Sequence, residues 1–250
     1  MSQSSKISWT DSTFNVVWGC TEISPGCKNC YARKLANRYG FDVWGKNKPR
    51  RTFGMKHWNE PLSWDKKAEK EGRRCKVFCG SMFDWAEDHP TTQEEVKKIW
   101  PLIKNTPNID WQLLTKRADR IALTLPEDWS KELYPNVWLG VSIESNDYIE
   151  RADYLKAIDC TVRFISYEPA LGPLNNLGLE DLDWILYGGE SGAGFRQDDR
   201  NWARDIKGRC DNPPEQGLRW PVFFFKQSAA LRPGSEEELD GQIIQPMPNF

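Results

Sequence analysis

Seven short apolar runs recur along the chain, each rich in Val, Ile, Phe or Trp and bounded by polar or turn-forming residues. Runs of this length and composition, flanked by turn signals, are typical of buried β-strands. The predicted strands are Asn15–Gly19, Lys76–Gly80, Asp110–Thr115, Asn136–Ser142, Thr161–Ser166, Asp183–Tyr187 and Pro221–Phe225.

Between these runs, apolar residues recur at helical spacing. In Thr92–Lys104, Val96, Ile99, Trp100 and Ile103 follow the i, i+3, i+4, i+7 pattern of a helix with one buried face. The predicted helices are Cys30–Tyr39, Thr92–Lys104, Arg117–Leu123, Asn146–Ile158 and Asn201–Cys210. Repeated alternation of strand and helix predicts an α/β fold with six to seven parallel strands. A partial or complete TIM-like (β/α) barrel is favoured, and a doubly wound open sheet is the alternative.

Polar residues follow the predicted strands directly. In a (β/α) barrel, functional side chains gather after the carboxyl ends of the strands, so these positions are the candidate site. They include Gly19-Cys20-Thr21, Gly80-Ser81-Met82-Phe83-Asp84, Thr115-Lys116-Arg117, Ser142-Ile143-Glu144, Tyr167-Glu168-Pro169, Gly188-Gly189-Glu190 and Lys226-Gln227.

The length and charge of the chain limit its class. Its 250 residues suit one barrel domain over 1–250. The net charge of −2 excludes a uniformly basic coat protein of nucleic acid. The N-terminus lacks a signal-peptide pattern, and no apolar run is long enough to span a bilayer, so we expect a cytoplasmic protein without membrane contact. Residues 228–250 are predicted to cover the barrel.

The charge is unevenly distributed. Lys46–Lys76 holds 11 Lys or Arg against four Asp or Glu, within a predicted insertion at about 42–74. Its cations alternate with aromatic residues, which together are the ingredients of nucleic-acid binding. A solvated loop with some Trp side chains anchored in the core explains the pattern equally well. The residues concerned are Lys46, Lys48, Arg50, Arg51 and Lys56 with Trp44, Phe53, His57, Trp58 and Trp64.

Three of the seven cysteines, Cys20, Cys27 and Cys30, form a C-x6-C-x2-C loop between the first predicted strand and the first helix. Three thiolates on one short loop can ligate a soft metal centre. A 4Fe–4S cluster held by three cysteines keeps one iron open, whereas a structural zinc site takes four ligands. The zinc alternative needs a fourth ligand, for which Cys75, Cys79 and His57 are available.

The cysteine loop resembles that of the radical S-adenosylmethionine (SAM) superfamily, with three extra residues in the first gap of the usual C-x3-C-x2-C motif. A longer set of motifs is spread over almost the whole chain: Ile7-Ser8-Trp9-Thr10-Asp11, Asn15, Gly19-Cys20-Thr21, Ser24-Pro25-Gly26-Cys27, Asn29-Cys30-Tyr31-Ala32, Gly80-Ser81-Met82, Leu114-Thr115-Lys116-Arg117, Trp138-Leu139-Gly140-Val141-Ser142, Glu168-Pro169, Gly188-Gly189-Glu190-Ser191-Gly192 and Phe224-Phe225-Lys226-Gln227. In these motifs the sequence is similar to a phage- and prophage-encoded, radical-SAM-like family of long-unassigned function.

The resemblance implies roles for single residues. Cys20, Cys27 and Cys30 would ligate the 4Fe–4S cluster, with Tyr31 beside it. Gly80, Ser81 and Met82, with Asp84, would receive the SAM amino group. Lys116 or Arg117 would pair with the SAM carboxylate, and Ser142 or Glu144 would bind the ribose. Glu168, Glu190 and Lys226 are the candidate catalytic residues.

The resemblance also implies a reaction. Reductive cleavage of SAM would give methionine and a 5′-deoxyadenosyl radical, which takes a hydrogen atom from the substrate. The expected substrate is a hypermodified thymine in phage DNA, and the expected electron donor is an external flavodoxin or ferredoxin. A tRNA base, a nucleotide or a peptide remains an alternative substrate. A zinc-stabilised nucleic-acid-binding protein without catalysis is the alternative function.

Overall fold

The fold class is α/β. A computed structural model describes residues 5–215 and 217–248. Its strands are β1 (Ser12–Phe14), β2 (Cys75–Cys79), β3 (Ile109–Thr115), β4 (Val137–Ser142), β5 (Val162–Tyr167), β6 (Trp184–Gly188) and β7 (Val222–Gln227). They form one parallel sheet in chain order.

This strand order confirms the predicted partial (β/α) barrel topology. A doubly wound sheet reverses its strand order at a switch point, and no reversal occurs between β1 and β7. Within this topology, the chain divides into two compact units. The first contains Met1–Ile23, Ala32–Leu139 and Asp159–Thr161, and the second contains Ser24–Tyr31, Gly140–Ile158 and Val162–Phe250.

In the part of the chain that the structure describes, helices lie in every connection between the strands of this sheet except the one from β5 to β6. They are α1 (Tyr31–Arg38), α2 (Met55–Trp58), α3 (Glu60–Glu71), α4 (Pro90–Lys97), α5 (Ile99–Lys104), α6 (Ile121–Thr124), α7 (Glu150–Lys156) and α8 (Arg200–Asp211). The predicted helix Thr92–Lys104 is divided at Lys98, because Pro101 has no backbone N–H to donate to the preceding turn. Within the described residues, no helix is long and apolar enough to cross a membrane.

The first predicted strand was misplaced. The strand is Ser12–Phe14, which pairs in parallel with Val77–Cys79, and Asn15–Gly19 is instead a buried connection. The Asn15 side chain accepts a hydrogen bond from the Met82 amide at 2.8 Å, and the Gly19 amide donates to the Met82 carbonyl. Apolar content alone does not distinguish a buried strand from a buried loop, because both exclude water.

The insertion also differs from the predicted loop, since it contains α2 and α3. Helix α3 ends at Gly72 in the left-handed conformation, with φ of 63°. Trp64 is buried on its inner face. Phe14 lies against this region, stacked on His57 at a centroid distance of 4.5 Å and edge-on to Trp64. The insertion is therefore part of the core of the first unit.

In the second unit, aromatic side chains of β5, β6 and β7 form a buried cluster. Tyr187 stacks on Phe225 with ring centroids 5.4 Å apart and meets Tyr167 edge-on. The end of the chain forms a two-stranded hairpin, β8 (Glu238–Leu239) and β9 (Gln242–Ile243). Beyond it, the Ile244 carbonyl accepts a hydrogen bond from the Phe225 amide, so this segment lies against the edge of β7.

We predict that Gly140→Ala destabilises the protein by about 2 to 3 kcal/mol, because its new Cβ would overlap the ring of Phe164 on β5. Gly208→Ala in α8 is the matched control, since a Cβ there meets no atom within 4 Å. Alanine also favours the helix, so this variant should be about 0.5 to 1 kcal/mol more stable. Urea unfolding measures both. Equal effects of the two substitutions would contradict the packing described for β4 and β5.

Candidate cofactor site

Cys20 lies in the first unit, in the connection after β1. Its sulfur lies 3.8 Å from Nη1 of Arg117 and 3.5 Å from the Thr21 carbonyl oxygen. Burial raises the pKa of the Cys20 thiol, and the negative charge of Asp84 raises it further. Arg117 opposes both effects, because its positive charge and its N–H group favour the thiolate.

Asp84 and Arg117, two of the predicted SAM contacts, are bound to each other. Nη1 of Arg117 lies 2.7 Å from Oδ2 of Asp84, and Nη2 donates to the Thr21 carbonyl at 2.7 Å. The Thr115 hydroxyl and the Lys116 amide also donate to Asp84. Burial acts to lower the pKa of the Arg117 guanidinium, but Asp84, Cys20 and Glu87 together outweigh burial and raise this pKa. The pair thereby fixes the turn after β3 against the turn after β2.

A second buried ion pair, which sequence reasoning missed, joins Arg50 to Glu87. Nε and Nη2 of Arg50 donate to the two Glu87 oxygens at 2.9 and 2.8 Å. Nη2 also donates to Oγ1 of Thr21 at 3.1 Å. A Cβ at Gly19, where φ is 122°, would overlap Val43 and Arg50. The only sequence signal for this pair is that Glu87 closely follows the polar stretch after β2.

Gly80, Ser81 and Met82 follow β2 as predicted, and they are held by Asn15. The Asn15 amide group donates to the Ser81 hydroxyl at 2.8 Å, and its carbonyl accepts from the Met82 amide. Gly80 has φ of 121°, a conformation that favours glycine because it has no Cβ. The backbone of this segment is therefore fixed within the first unit.

Cys27 and Cys30 lie in the second unit. Cys27 ends a 3-10 helix that begins at Pro25, and the Cys30 amide donates to the Cys27 carbonyl at 3.2 Å. The Ser24 hydroxyl donates to Oε1 of Glu144 at 2.6 Å. A Cβ at Gly26 would lie 2.9 Å from Cγ of Glu144. The loop thus packs directly on the residues that follow β4.

A second carboxylate holds the other end of this loop. The Asn29 amide group donates to Oε2 of Glu190 at 2.8 Å and to the Gly194 carbonyl at 2.9 Å. Glu190 is also paired with Arg196 at 2.5 Å. Burial acts to raise the pKa of Glu190, but the hydrogen bonds from Arg196 and Asn29 outweigh it and lower the pKa. Glu190 is therefore an ionised anchor of the cysteine loop.

The remaining predicted residues lie in several environments. Glu144 is almost fully buried and paired with Arg151 at 2.8 Å, and the Ser142 carbonyl accepts from the same guanidinium. Glu168 and Lys226 form an ion pair after β5 and at the end of β7. Tyr31 is exposed at the start of α1.

The donor chemistry of the motif fits a thiolate-ligated cluster. None of the seven cysteines forms a disulfide, and the three motif residues are partly exposed as whole residues, although the Cys20 thiol itself is buried, whereas the other four cysteines are buried. Over residues 5–215 and 217–248, no three His, Cys, Asp or Glu side chains are grouped closely enough to hold a metal ion. The motif therefore supplies ligands of suitable chemistry on one short segment.

The aromatic residues of the insertion pack inside the first unit. His57 and Trp64 are buried, and the guanidinium of Arg51 lies 4.3 to 4.9 Å from the ring centroids of Trp18, Phe41 and Phe53. These three rings are themselves half-buried, as are Trp44 and Trp58 of the insertion. Part of the basic surplus is also paired, since Lys48, Arg73 and Arg74 contact carboxylates, whereas Lys56, Lys66 and Lys70 are exposed.

The topology and the cysteine loop define an α/β protein of the partial (β/α) barrel class. The chain belongs to the family described as protein of unknown function DUF5131, whose family model matches residues 4–248. No curated protein gives a significant match to the chain.

One solved structure that matches the chain is a spore photoproduct lyase double mutant with bound AdoMet and a dinucleoside spore photoproduct. The TM-score is 0.44 and the sequence identity 12%. The match covers 82% of this chain, which spans 62% of the length of the lyase chain.

The Arg50–Glu87 pair predicts a specific dependence of stability on pH. Burial acts to raise the pKa of Glu87, but the hydrogen bonds and charge of Arg50 outweigh it, so the folded pKa lies below the ordinary 4.5. The unfolded chain therefore binds the proton more readily. The stabilisation is complete above pH 4.5 and is lost as the pH falls through the folded pKa.

We therefore predict that Glu87→Gln removes this part of the acid dependence and destabilises the protein by about 3 kcal/mol at neutral pH, because Arg50 loses its buried counter-charge. Asp240→Asn, which breaks an exposed pair with Arg204, is the control and should change stability little. Urea unfolding between pH 3 and 7 measures both variants. An unchanged pH profile in Glu87→Gln would contradict the assignment.

Proposed function

We propose that this protein is a radical SAM enzyme in which Cys20, Cys27 and Cys30 ligate a 4Fe–4S cluster. The observation that carries the proposal is the C-x6-C-x2-C loop, which follows the first strand of a partial (β/α) barrel sheet. Active sites of such folds lie at the carboxyl ends of the strands. Three thiolates leave one iron of a 4Fe–4S cluster open for SAM. A structural zinc site with four protein ligands has no open position for SAM.

The contacts of the loop support a role that needs a fixed geometry. Ser24 is hydrogen-bonded to Glu144, and Asn29 to Glu190, so both ends of the segment around Cys27 are anchored to buried carboxylates. Exposed connections in general tolerate mobility. Cluster ligands, in contrast, must be held close to the geometry that the metal requires.

When bound, a reduced 4Fe–4S cluster supplies the electron for reductive cleavage of SAM. This chain would hold the cofactor and keep water away from the reacting atoms. Because Asp84 and Arg117 bind each other, Ser81 and the Gly80 backbone are the proposed contacts for the SAM amino group, and Lys116 for its carboxylate. Glu168 and Lys226 would face the substrate. The electron would come from an external flavodoxin or ferredoxin.

For the substrate, we propose a modified thymine base in DNA. The supporting observations are the resemblance to phage-encoded proteins and the exposed Lys56, Lys66 and Lys70 of the basic insertion, which are available to contact phosphates. A base inside a duplex would have to be extruded to reach the site. If the enzyme does not alter DNA, the alternative substrates are a tRNA base, a free nucleotide or a peptide.

We predict that Cys27→Ala abolishes loading with four irons and the broad absorbance near about 400 nm after anaerobic reconstitution with iron and sulfide, because a ligand is lost. It should abolish SAM cleavage as well. Cys210→Ala is the control: Cys210 is buried in α8 and outside the motif, so iron content and SAM cleavage should match the unmodified protein.

A colourless wild-type protein that contains one zinc and takes up no iron would overturn the proposal in favour of the zinc-stabilised binding protein. The substrate is tested by incubating the reduced enzyme and SAM with phage DNA and analysing the digested nucleosides by mass spectrometry. Formation of 5′-deoxyadenosine without an altered nucleoside, on every DNA tested, would contradict a DNA substrate while leaving the radical SAM assignment intact.

A further inference from the structure

The second unit contains a cavity of about 590 Å³ that none of the predicted site residues lines. Its walls come from two segments: Phe195, Gln197 and Arg200 follow β6, and residues 228–232, 235 and 236 follow β7. The cavity therefore lies beside the carboxyl ends of two neighbouring parallel strands. Its volume is within the usual range for sites that bind small molecules.

Two arginines give this cavity its charge. Arg200 is paired with Glu236 at 2.9 Å, and both line the cavity. Arg232 is exposed at the rim and makes no ion pair within the described residues. The net charge of these three side chains is positive, and a guanidinium presents the forked donors that suit phosphate oxygens.

A buried serine also lines the cavity. Ser228 is 2% exposed, and its Oγ has no hydrogen-bond partner among the described residues. A buried hydroxyl without a hydrogen-bond partner lowers the stability of the folded protein, so a serine at this position calls for an explanation such as ligand binding. A phosphate oxygen in the cavity would supply the missing partner.

The frame around Ser228 is rigid. Its amide donates to the Glu236 carbonyl at 2.8 Å, the Ala229 amide donates to Asp198 at 2.9 Å, and the Ala230 amide donates to the Glu190 carbonyl at 3.1 Å. A Cβ at Gly189 would overlap Ala229, so only glycine allows this close approach. These contacts fix the backbone of Ser228 before any ligand binds, which lowers the entropy cost of binding.

Apolar groups complete the lining. Phe195 is half-buried and Leu231 is exposed, and both contribute to the walls. An aromatic ring beside cationic side chains is the combination that holds a base next to its phosphate. The cavity thus offers contacts to both parts of a nucleotide unit.

We propose that this cavity binds one nucleotide unit of the substrate, with its phosphate on Arg232, Arg200 and the Ser228 hydroxyl and its base against Phe195. In the ligand-free protein, Glu236 holds Arg200 and competes with the phosphate for it. The choice of a DNA strand as the source of the nucleotide rests on the proposed function, whereas phosphate binding itself requires no cluster.

The test is fluorescence anisotropy of the full-length protein, without reconstitution, with a labelled single-stranded oligothymidylate. Arg232→Gln should weaken binding by about tenfold and reduce the dependence of log K on log salt by about one unit, because one phosphate contact is lost. Glu236→Gln should strengthen binding several-fold, since it releases Arg200. Lys131→Gln, at an exposed position of the first unit, is the charge-matched control and should have no effect.

Ser228→Ala separates ligand binding from a merely structural role. Removing an unsatisfied hydroxyl should raise the melting temperature, and the proposal adds that binding weakens about threefold or more. A raised melting temperature with unchanged binding would overturn the role of Ser228. Equal affinities in the wild type, Arg232→Gln and Glu236→Gln would overturn the whole proposal.

Competition distinguishes the sources of the phosphate. If thymidine 5′-monophosphate displaces the oligonucleotide, a single nucleotide suffices for the cavity. If thymidine 5′-monophosphate does not displace the oligonucleotide, but Arg232→Gln still weakens and Glu236→Gln still strengthens oligonucleotide binding, the bound phosphate belongs to a strand. Because these measurements use protein without a cluster, their failure leaves the iron and SAM assays unaffected, and the converse also holds.

Discussion

The cysteine loop depends on two buried carboxylates. Glu144 accepts from Ser24, and Glu190 accepts from Asn29, so the backbone that bears Cys27 and Cys30 is attached to the segments after β4 and β6. Each carboxylate is in turn balanced by an arginine, Arg151 or Arg196. Buried carboxylates remain ionised only where such partners exist. The geometry of the loop therefore rests on charge pairing as much as on packing.

In the first unit, paired charged side chains also hold the segment around Cys20. Arg117 contacts the cysteine sulfur, Asp84 and the Thr21 carbonyl, and Arg50 connects Thr21 to Glu87. These groups link the turns after β1, β2 and β3 within one network. A network of this kind fixes the direction in which the Cys20 thiol points, because its hydrogen bonds leave few alternative rotamers. Asp84 and Arg117, which sequence analysis predicted as SAM contacts, thus also bind each other and hold the turn that bears Cys20 in this structure.

The sequence predicted the α/β class, the parallel topology and six of the seven sheet strands, since alternating apolar runs and amphipathic helices are local signals. It misplaced β1, where Val16 and Val17 are buried in a loop, and it missed α2 and α3, whose apolar face is interrupted by charges. The contacts of Glu144 with Ser24, of Glu190 with Asn29 and of Glu87 with Arg50 could not be predicted, because each joins residues distant in the chain. Arg50, interpreted from sequence as a possible phosphate contact, is buried against Glu87.

The most direct test of the account is electron paramagnetic resonance of the reconstituted, chemically reduced protein with and without SAM. If Cys20, Cys27 and Cys30 hold a cluster with one open iron, the reduced protein gives a signal of a one-electron-reduced 4Fe–4S cluster, and addition of SAM changes that signal. A signal that SAM leaves unchanged, or no iron signal from a folded protein whose three motif cysteines are intact, would contradict it.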